Sequence, residues 1–279
     1  MMTFPKCDLH THTRYCDGAN TPEEMIRTAI ALGMETYGFS GHSFTSFDPS
    51  PCMSREGTQQ YRAEIADLKA RYGDQIQILC GIEQDFYSDD PAVGFDYVIG
   101  SVHYLPLDNG EYVCLDLSVE AIERLKRERF GGDIYKLIRA YYENMAQVLD
   151  KTHCDIVGHF DLIEKLNKNE RLFCSSDIRY RKAALDALDY LLERDAIFEI
   201  NSGGLPRGYG LVYPSSYLLR RIAEKRGRLV LNGDTHHKEH LMKGYPDAAA
   251  MAHACGVGGL CVPTPFGWET RPLGHAYKV

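Results

Sequence analysis

The sequence lacks a long apolar run, an excess of basic charge and a paired-cysteine motif, and each absence excludes a class of protein. No stretch approaches the ~18 to 20 apolar residues that a membrane-spanning helix requires, so we expect no membrane partner. The first ten residues also lack the apolar core of a signal peptide. The net charge of −8 argues against a nucleic acid partner, because binding nucleic acid requires a basic face.

The nine cysteines fit neither a disulfide scaffold nor a structural zinc ribbon. Their number is odd and no two of them form a Cys-x-x-Cys pair. We therefore predict that they are reduced and that the protein is cytoplasmic. The chain of 279 residues also shows no internal repeat, low-complexity tract or obvious linker, which predicts a single domain over residues 1–279.

Short apolar strands alternate with helices along the chain, which is typical of an α/β fold. A helix follows most of the predicted strands, and the clearest helix covers 134–149 without a break. Such an alternation predicts a parallel barrel, in which the chemistry lies at the carboxyl ends of the strands. The seven predicted strands cover 7–10, 37–42, 76–82, 95–102, 155–158, 196–201 and 228–231.

Histidine and carboxylate residues follow the ends of these predicted strands. His10 and His12 are two positions apart on an extended segment, so their side chains point to the same side. Mixed imidazole and carboxylate ligands suit zinc, iron or manganese. The pattern thus predicts a metal site at one end of the barrel. The later candidates are His42, Glu83, His103, His159, Asp234 and His236.

Several segments resemble motifs of the PHP (polymerase and histidinol phosphatase) superfamily. DLHTHTRYCDGANTPEEM at 8–25 resembles the opening motif of that superfamily, and EINSGGLPRGYGLVYPS at 199–215 resembles a segment of its histidinol-phosphate phosphatases. The motifs that resemble its later ones, in the same order, are GHS at 41–43, GIEQDF at 81–86, IGSVH at 99–103, VGHFD at 157–161 and NGDTHH at 232–237. The resemblance implies a distorted seven-stranded β/α barrel that encloses three divalent metal ions.

The resemblance also implies which residues bind each metal. Asp17 occupies a region where many of these phosphatases have a histidine, so the chain departs from the family at the third site. The implied ligands are His10, His12, Glu83 and Asp234 for the first metal, Glu83, His103 and His159 for the second, and Asp17, His42 and His236 for the third.

The implied reaction is the hydrolysis of a small phosphorylated metabolite, L-histidinol phosphate, to L-histidinol and phosphate in histidine biosynthesis. A hydroxide that bridges two metals would attack phosphorus, and Glu83 would bridge the same two metals because its carboxylate offers two oxygens. His42 or a metal-bound water would protonate the leaving group. Arg207 is the first choice for a phosphate contact because guanidinium matches phosphate geometry, and Arg14 is a weaker candidate.

Three alternatives stay open at this stage. A PHP or TatD-like phosphoesterase or nuclease would act on nucleotides or nucleic acid, although the simpler TatD set does not require Asp17, His42 and His236. An amidohydrolase would place a bridging lysine where His103 stands. A non-catalytic PHP module would be expected to have lost ligands. The sequence leaves open whether the loops at 43–57 and 104–130 cover the pocket, and it leaves the oligomeric state open.

Overall fold

The structure, a computed structural model, describes residues 2–275. The strands are β1 (Met2–Thr3), β2 (Cys7–Asp8), β3 (Thr36–Phe39), β4 (Gln77–Asp85), β5 (Tyr97–Ser101), β6 (Tyr104–Pro106), β7 (Tyr112–Cys114), β8 (Ile156–Val157), β9 (Ile197–Asn201), β10 (Arg228–Asn232), β11 (Gly259–Thr264), β12 (Gly267–Pro272) and β13 (Gly274–His275). The α-helices are α1 (Pro22–Ala31), α2 (Arg55–Tyr72), α3 (Val119–Phe130), α4 (Ile134–Ala146), α5 (Val148–Thr152), α6 (Ile178–Glu193), α7 (Ser216–Glu224) and α8 (Tyr245–Ala254). Short 3-10 helices cover Leu162–Glu164, Lys168–Glu170 and Lys238–His240.

Seven parallel strands form the predicted barrel. Their order in the sheet is β2-β3-β4-β5-β8-β9-β10. Each strand therefore pairs with the barrel strands that precede and follow it in the sequence. Backbone bonds just beyond β2 and β10 join the two ends of the sheet. The amide of His12 donates to Thr235 O at 2.9 Å, and Thr11 forms a parallel bridge with Thr235. The α/β barrel predicted from the sequence is confirmed.

Apolar side chains fill the interior near the amino ends of the barrel strands. Tyr97 and Leu9 pack there with residues that begin the other strands, and Val262 of β11 joins the same cluster. The phenol of Tyr97 donates hydrogen bonds to Leu9 O and Phe39 O. The hairpin of β11 and β12 thus packs against the interior opposite the end where the strands deliver their polar residues.

Two elements depart from the sequence expectations for local reasons. Strand pairing in β2 stops at Asp8, because the amide of His10 donates to the Asp8 carboxylate at 3.0 Å rather than to a neighbouring strand. The helix predicted over 134–149 is broken at Gln147, whose φ of −97° and ψ of 0° leave the helical region. Val148 is nevertheless buried, so the apolar periodicity continues through the break.

The two longest irregular regions contain structure that the sequence did not reveal. The 104–130 connection holds a hairpin of β6 and β7 followed by α3, and the tail holds the hairpin of β11 and β12. No helix within residues 2–275 is long and apolar enough to cross a membrane. The cytoplasmic location stays a prediction.

Gly81 lets β4 pass directly against the ring of Tyr97, and this close approach yields the first testable prediction. A methyl group at residue 81 would overlap the Tyr97 ring, whereas one at Gly258 meets no atom within 4 Å. We expect G81A to lower the free energy of unfolding by ~1 to 3 kcal/mol, the usual cost of overpacking a tight core. Urea denaturation with metal removed measures it, and G258A is the matched control. Equal stability of the two variants would contradict this packing.

Candidate metal centre

The barrel brings all nine predicted ligands to the carboxyl end of its strands. His10 and His12 follow β2, Glu83 lies in β4, and His159 follows β8, each with side-chain exposure of 3 % or less. His42 follows β3 and is partly exposed. Of the remaining four, Asp17 lies in the loop between β2 and α1, His103 follows β5, and Asp234 and His236 follow β10.

Glu83 lies at the centre of this arrangement, and its two carboxylate oxygens face different histidines. Its Oε2 atom lies 3.3 Å from His10 Nε2 and 2.9 Å from His42 Nδ1. Its Oε1 atom lies 2.9 Å from His159 Nε2 and 3.4 Å from His103 Nε2. The hydroxyl of Ser101 donates to the same Oε1 atom at 2.7 Å. A carboxylate divided in this way can contact two metal ions.

Four groups of side chains place their ligand atoms close enough to hold a metal ion. Glu83 belongs to two of these groups, and His12 also belongs to two. His103 and His159, expected to share one metal, each join Glu83 together with a histidine from another expected set. The groups are His10, His12 and Asp234; His10, Glu83 and His159; His42, Glu83 and His103; and His12, Asp17, His42 and His236.

The group around Asp17 is the most exposed of the four. The Asp17 side chain is 35 % exposed and its Oδ2 atom lies 3.2 Å from His236 Nε2. Its Oδ1 atom lies 3.6 Å from both His42 Nε2 and His12 Nδ1. The predicted third site therefore lies at the mouth of the barrel, where solvent reaches it.

Among residues 2–275, three buried polar atoms that face the centre make no hydrogen bond of acceptable geometry, although Glu83 Oε2 lies close to His10 and His42. They are His10 Nε2, His12 Nε2 and Glu83 Oε2. A buried polar atom without a partner is costly, so such atoms indicate a missing ligand. Imidazole nitrogens and a carboxylate oxygen that converge in this way are the donors that zinc, iron and manganese accept. The residues present therefore fit a divalent metal centre.

Electrostatics in this centre favour ionised carboxylates. Burial alone would raise the pKa of Glu83, but the nearby histidines, above all His10, hold it well below its usual range. Burial and the neighbouring His236 and His42 lower the pKa of His12 to about 3. This side chain is thus neutral, which is the form of imidazole that binds metals. For His103, the carboxylates, led by Glu83, outweigh burial and raise its pKa to about 10.

Glu199 orients two of the predicted ligands, His10 and His159, by contacts with His10 Nδ1 and the backbone amide of His159. Its Oε1 atom lies 2.6 Å from His10 Nδ1, and its Oε2 atom accepts the backbone amide of His159 at 2.8 Å. The amides of Asn232 and Asn201 each donate to one of its oxygens at 2.9 Å. The position of Glu199 on a barrel strand was visible in the sequence, but its partners were not.

Asp85 plays the corresponding part for His103. Its Oδ2 atom lies 3.1 Å from His103 Nδ1 and accepts the backbone amide of His103 at 3.1 Å. Sequence reasoning missed this residue, although its place two residues after Glu83 in β4 puts both side chains on one face of the strand. That alternation is the signal that could have identified it.

A cavity of about 330 Å³ opens from the centre and contains two cationic side chains. Arg207 is one of them, and its Nη2 atom contacts Asp234 Oδ2 at 2.7 Å while its Nε atom donates to Gly203 O. Lys165, which the sequence did not single out, contacts Asp116 Oδ2 at 2.6 Å. Residues from both the 43–57 loop and the 104–130 connection line the same cavity, and we refer to these two as the covering segments.

Two cysteines near the candidate ligands, and one arginine considered for phosphate, lie apart from the ligand groups or the cavity. Cys16 Sγ lies 3.6 Å from His12 Nδ1, yet neither Cys16 nor Cys154 belongs to any of the four groups found within residues 2–275. Arg14 is exposed and does not line the described cavity. Arg207 is therefore the better placed of the two arginines considered for phosphate.

Comparison with known proteins identifies the family. The model of the PHP domain matches residues 8–203, more than half of the chain. The chain belongs to the PHP domain family. A PHP relative named probable histidinol-phosphatase, from Deinococcus radiodurans, is 30% identical, with 92% of this chain and 95% of the relative covered. The histidinol-phosphatase of Bacillus subtilis is 29% identical, with 83% of this chain and 93% of that protein covered.

A solved structure agrees with the PHP barrel. It is the histidinol phosphate phosphatase of Lactococcus lactis, a complex with zinc, L-histidinol and phosphate. The TM-score is 0.72 at 21% identity, and the match covers 96% of this chain and all of that chain (100%). At this identity, the likeness supports the fold of the PHP barrel.

The contact between Glu199 and His10 yields a prediction about metal affinity. We expect E199Q to weaken zinc binding by about 10- to 100-fold, because the amide cannot accept all the hydrogen bonds that hold His10 and His159. Equilibrium dialysis against a zinc buffer measures the affinity. E193Q, at an exposed position in α6, is the control. Equal zinc affinity in both variants would show that Glu199 does not orient the ligands.

Proposed function

We propose that this protein is a metal-dependent phosphomonoesterase that hydrolyses L-histidinol phosphate to L-histidinol and phosphate. The observation that carries the proposal is the buried centre around Glu83, in which unpartnered imidazole and carboxylate atoms converge at the floor of a cavity with cationic side chains. The names of the relatives that match nearly the whole chain support the same substrate. The reaction would belong to histidine biosynthesis.

Three divalent ions, zinc, iron or manganese, would occupy the centre. The proposed first site uses His10, His12, Glu83 and Asp234, and Glu83 also contributes to the second. His103 and His159 complete the second site, since the Oε1 atom of Glu83 faces both of them. The third site uses Asp17, His42 and His236, whose ligand atoms fall into one group.

The bound metals would supply a water of lowered pKa and positive charge that stabilises the phosphoryl oxygens in the transition state. The protein contributes the positions of the ligands. Glu199 and Asp85 fix the imidazole rings of His10 and His103, so little reorganisation is needed when a substrate binds.

Arg207 would contact the phosphate of the substrate. Two of its nitrogens are engaged by Asp234 and Gly203, and these contacts fix the plane of the guanidinium group. Among residues 2–275, its Nη1 atom makes no hydrogen bond, so this atom can donate to a phosphoryl oxygen. Lys165, close enough to interact electrostatically with Arg207, adds to the positive charge on this side of the cavity.

His42 is the residue of the chain best placed to act on the leaving alcohol if it is not held by a metal. Its ring lies between Glu83 and Asp17, and it lines the cavity. Protonation of the leaving group by a water is the alternative, and both routes are compatible with the proposed reaction.

A substrate panel tests the proposal. We expect the zinc-, iron- or manganese-loaded protein to hydrolyse L-histidinol phosphate with a kcat/KM at least about a hundredfold above that for a nucleoside monophosphate. Phosphate release measures activity, and metal analysis of the same sample gives occupancy. Cleavage of single-stranded DNA in preference to the metabolite would favour a nuclease. A fully loaded but inactive protein would favour a non-catalytic metal-binding module.

Replacing Glu83 tests its proposed bridging role. E83Q keeps the shape of the side chain but removes its charge, so we expect two metals to be lost together and kcat to fall by more than about a hundredfold. Metal content and phosphate release are measured on the same preparation, with E193Q as the control. Loss of a single metal, or an unchanged kcat, would be incompatible with a bridge.

A further inference from the structure

The carboxylates that line the cavity differ in whether a basic group already faces them. Within residues 2–275, five of the six have a histidine, lysine or arginine nearby. Asp48 differs, because its carboxylate is bound by the uncharged phenol of Tyr104, which donates to Oδ2 at 2.9 Å. The five others are Asp17, Glu83, Asp85, Asp116 and Asp234, which face His236, His10, His103, Lys165 and Arg207, respectively.

Both covering segments hold Asp48 in place. The phenol that binds it comes from the 104–130 connection, whereas Asp48 itself belongs to the 43–57 loop. In that loop, the hydroxyl of Thr45 donates to Asp48 O at 2.9 Å. Next to Asp48, the ring of Phe47 stacks on Tyr112 with centroids 4.0 Å apart and meets Tyr104 edge-on at 5.0 Å. The carboxylate is therefore fixed rather than free to rotate into solvent.

Tyr104 also fixes the place of Asp48 relative to the metal centre. Tyr104 directly follows His103, and the centroids of their rings are 6.3 Å apart. The Asp48 carboxylate thus lies one aromatic ring away from the proposed ligand His103, on the wall formed by the covering segments. Arg207 and Lys165 form ion pairs with Asp234 and Asp116, respectively, which also line the cavity.

The proposed substrate requires such an arrangement of charge. It carries a phosphate at one end, an imidazole at the other, and an ammonium group on the carbon atom between them. Arg207, Lys165 and the metals attract the phosphate and repel the ammonium group. A cation taken into a partly enclosed cavity loses hydration, and a fixed carboxylate compensates for that loss.

We propose that Asp48, positioned by Tyr104, determines specificity by accepting the ammonium group of the substrate. This inference rests on the proposed function and adds the means by which the enzyme selects an aminated phosphomonoester over a neutral one. The carboxylate acts on substrate binding, not on the cleavage of the phosphorus–oxygen bond. Its removal should therefore change KM for the aminated substrate and leave kcat nearly unaltered.

Steady-state kinetics with two substrates test the inference. We expect D48N to raise KM for L-histidinol phosphate about tenfold, with kcat and the kinetics of p-nitrophenyl phosphate, which has no cation, nearly unchanged. Y104F should raise the same KM about threefold, because Asp48 loses the phenol that orients it.

Two further variants serve as controls. D48E should retain much of the preference for the aminated substrate, since it keeps the charge. D90N is the control, because Asp90 pairs with Arg55 and does not line the cavity.

The outcomes separate this inference from the function on which it rests. A wild-type enzyme that is active on L-histidinol phosphate, with D48N altering both substrates equally or neither, would overturn the role of Asp48 alone. A wild-type enzyme that hydrolyses p-nitrophenyl phosphate but not L-histidinol phosphate would overturn the proposed function and this inference together. A selective rise in KM for D48N, reproduced more weakly by Y104F, supports the inference.

Discussion

The burial of the Glu83 carboxylate is the constraint on which the rest of the centre depends. This side chain is 1 % exposed, and an ionised carboxylate in such a place is tolerated only when positive charge and hydrogen-bond donors surround it. Its two oxygens lie within 4 Å of five histidines and a serine, which come from the ends of four barrel strands. A parallel barrel satisfies this requirement because all of its strands end at one rim.

A second layer of carboxylates maintains that arrangement. Glu199 contacts His10, and Asp85 contacts His103. Each of these two imidazole rings therefore faces Glu83 with its Nε2 atom and a second carboxylate with its Nδ1 atom. The protein as a whole carries a net charge of −8, yet the cavity presents Arg207 and Lys165 to an incoming ligand. Local charge, not net charge, therefore decides which molecules this cavity can accept.

Sequence periodicity was sufficient to predict the barrel and to place the candidate ligands at the ends of its strands. Both depend on local rules: apolar strands alternate with helices, and a residue that ends a parallel strand faces the common rim. The contacts of Asp48 with Tyr104 and of Lys165 with Asp116 follow no such rule, because they join residues 56 and 49 positions apart through irregular segments. The three-residue strands β6 and β7 and the break at Gln147 were likewise too short or too local to alter the periodicity.

His12 connects the buried part of the centre with its exposed mouth. Its Nε2 atom lies 3.5 Å from Asp234 Oδ1, and its Nδ1 atom lies 3.6 Å from Asp17 Oδ1. A neutral imidazole has one acceptor nitrogen and one N–H group, so a metal bound at Nε2 leaves the proton on Nδ1, towards Asp17. Occupation of the first site would thereby fix the tautomer that Asp17 meets. The exposed group around Asp17 would thus be coupled to the buried one through a single ring.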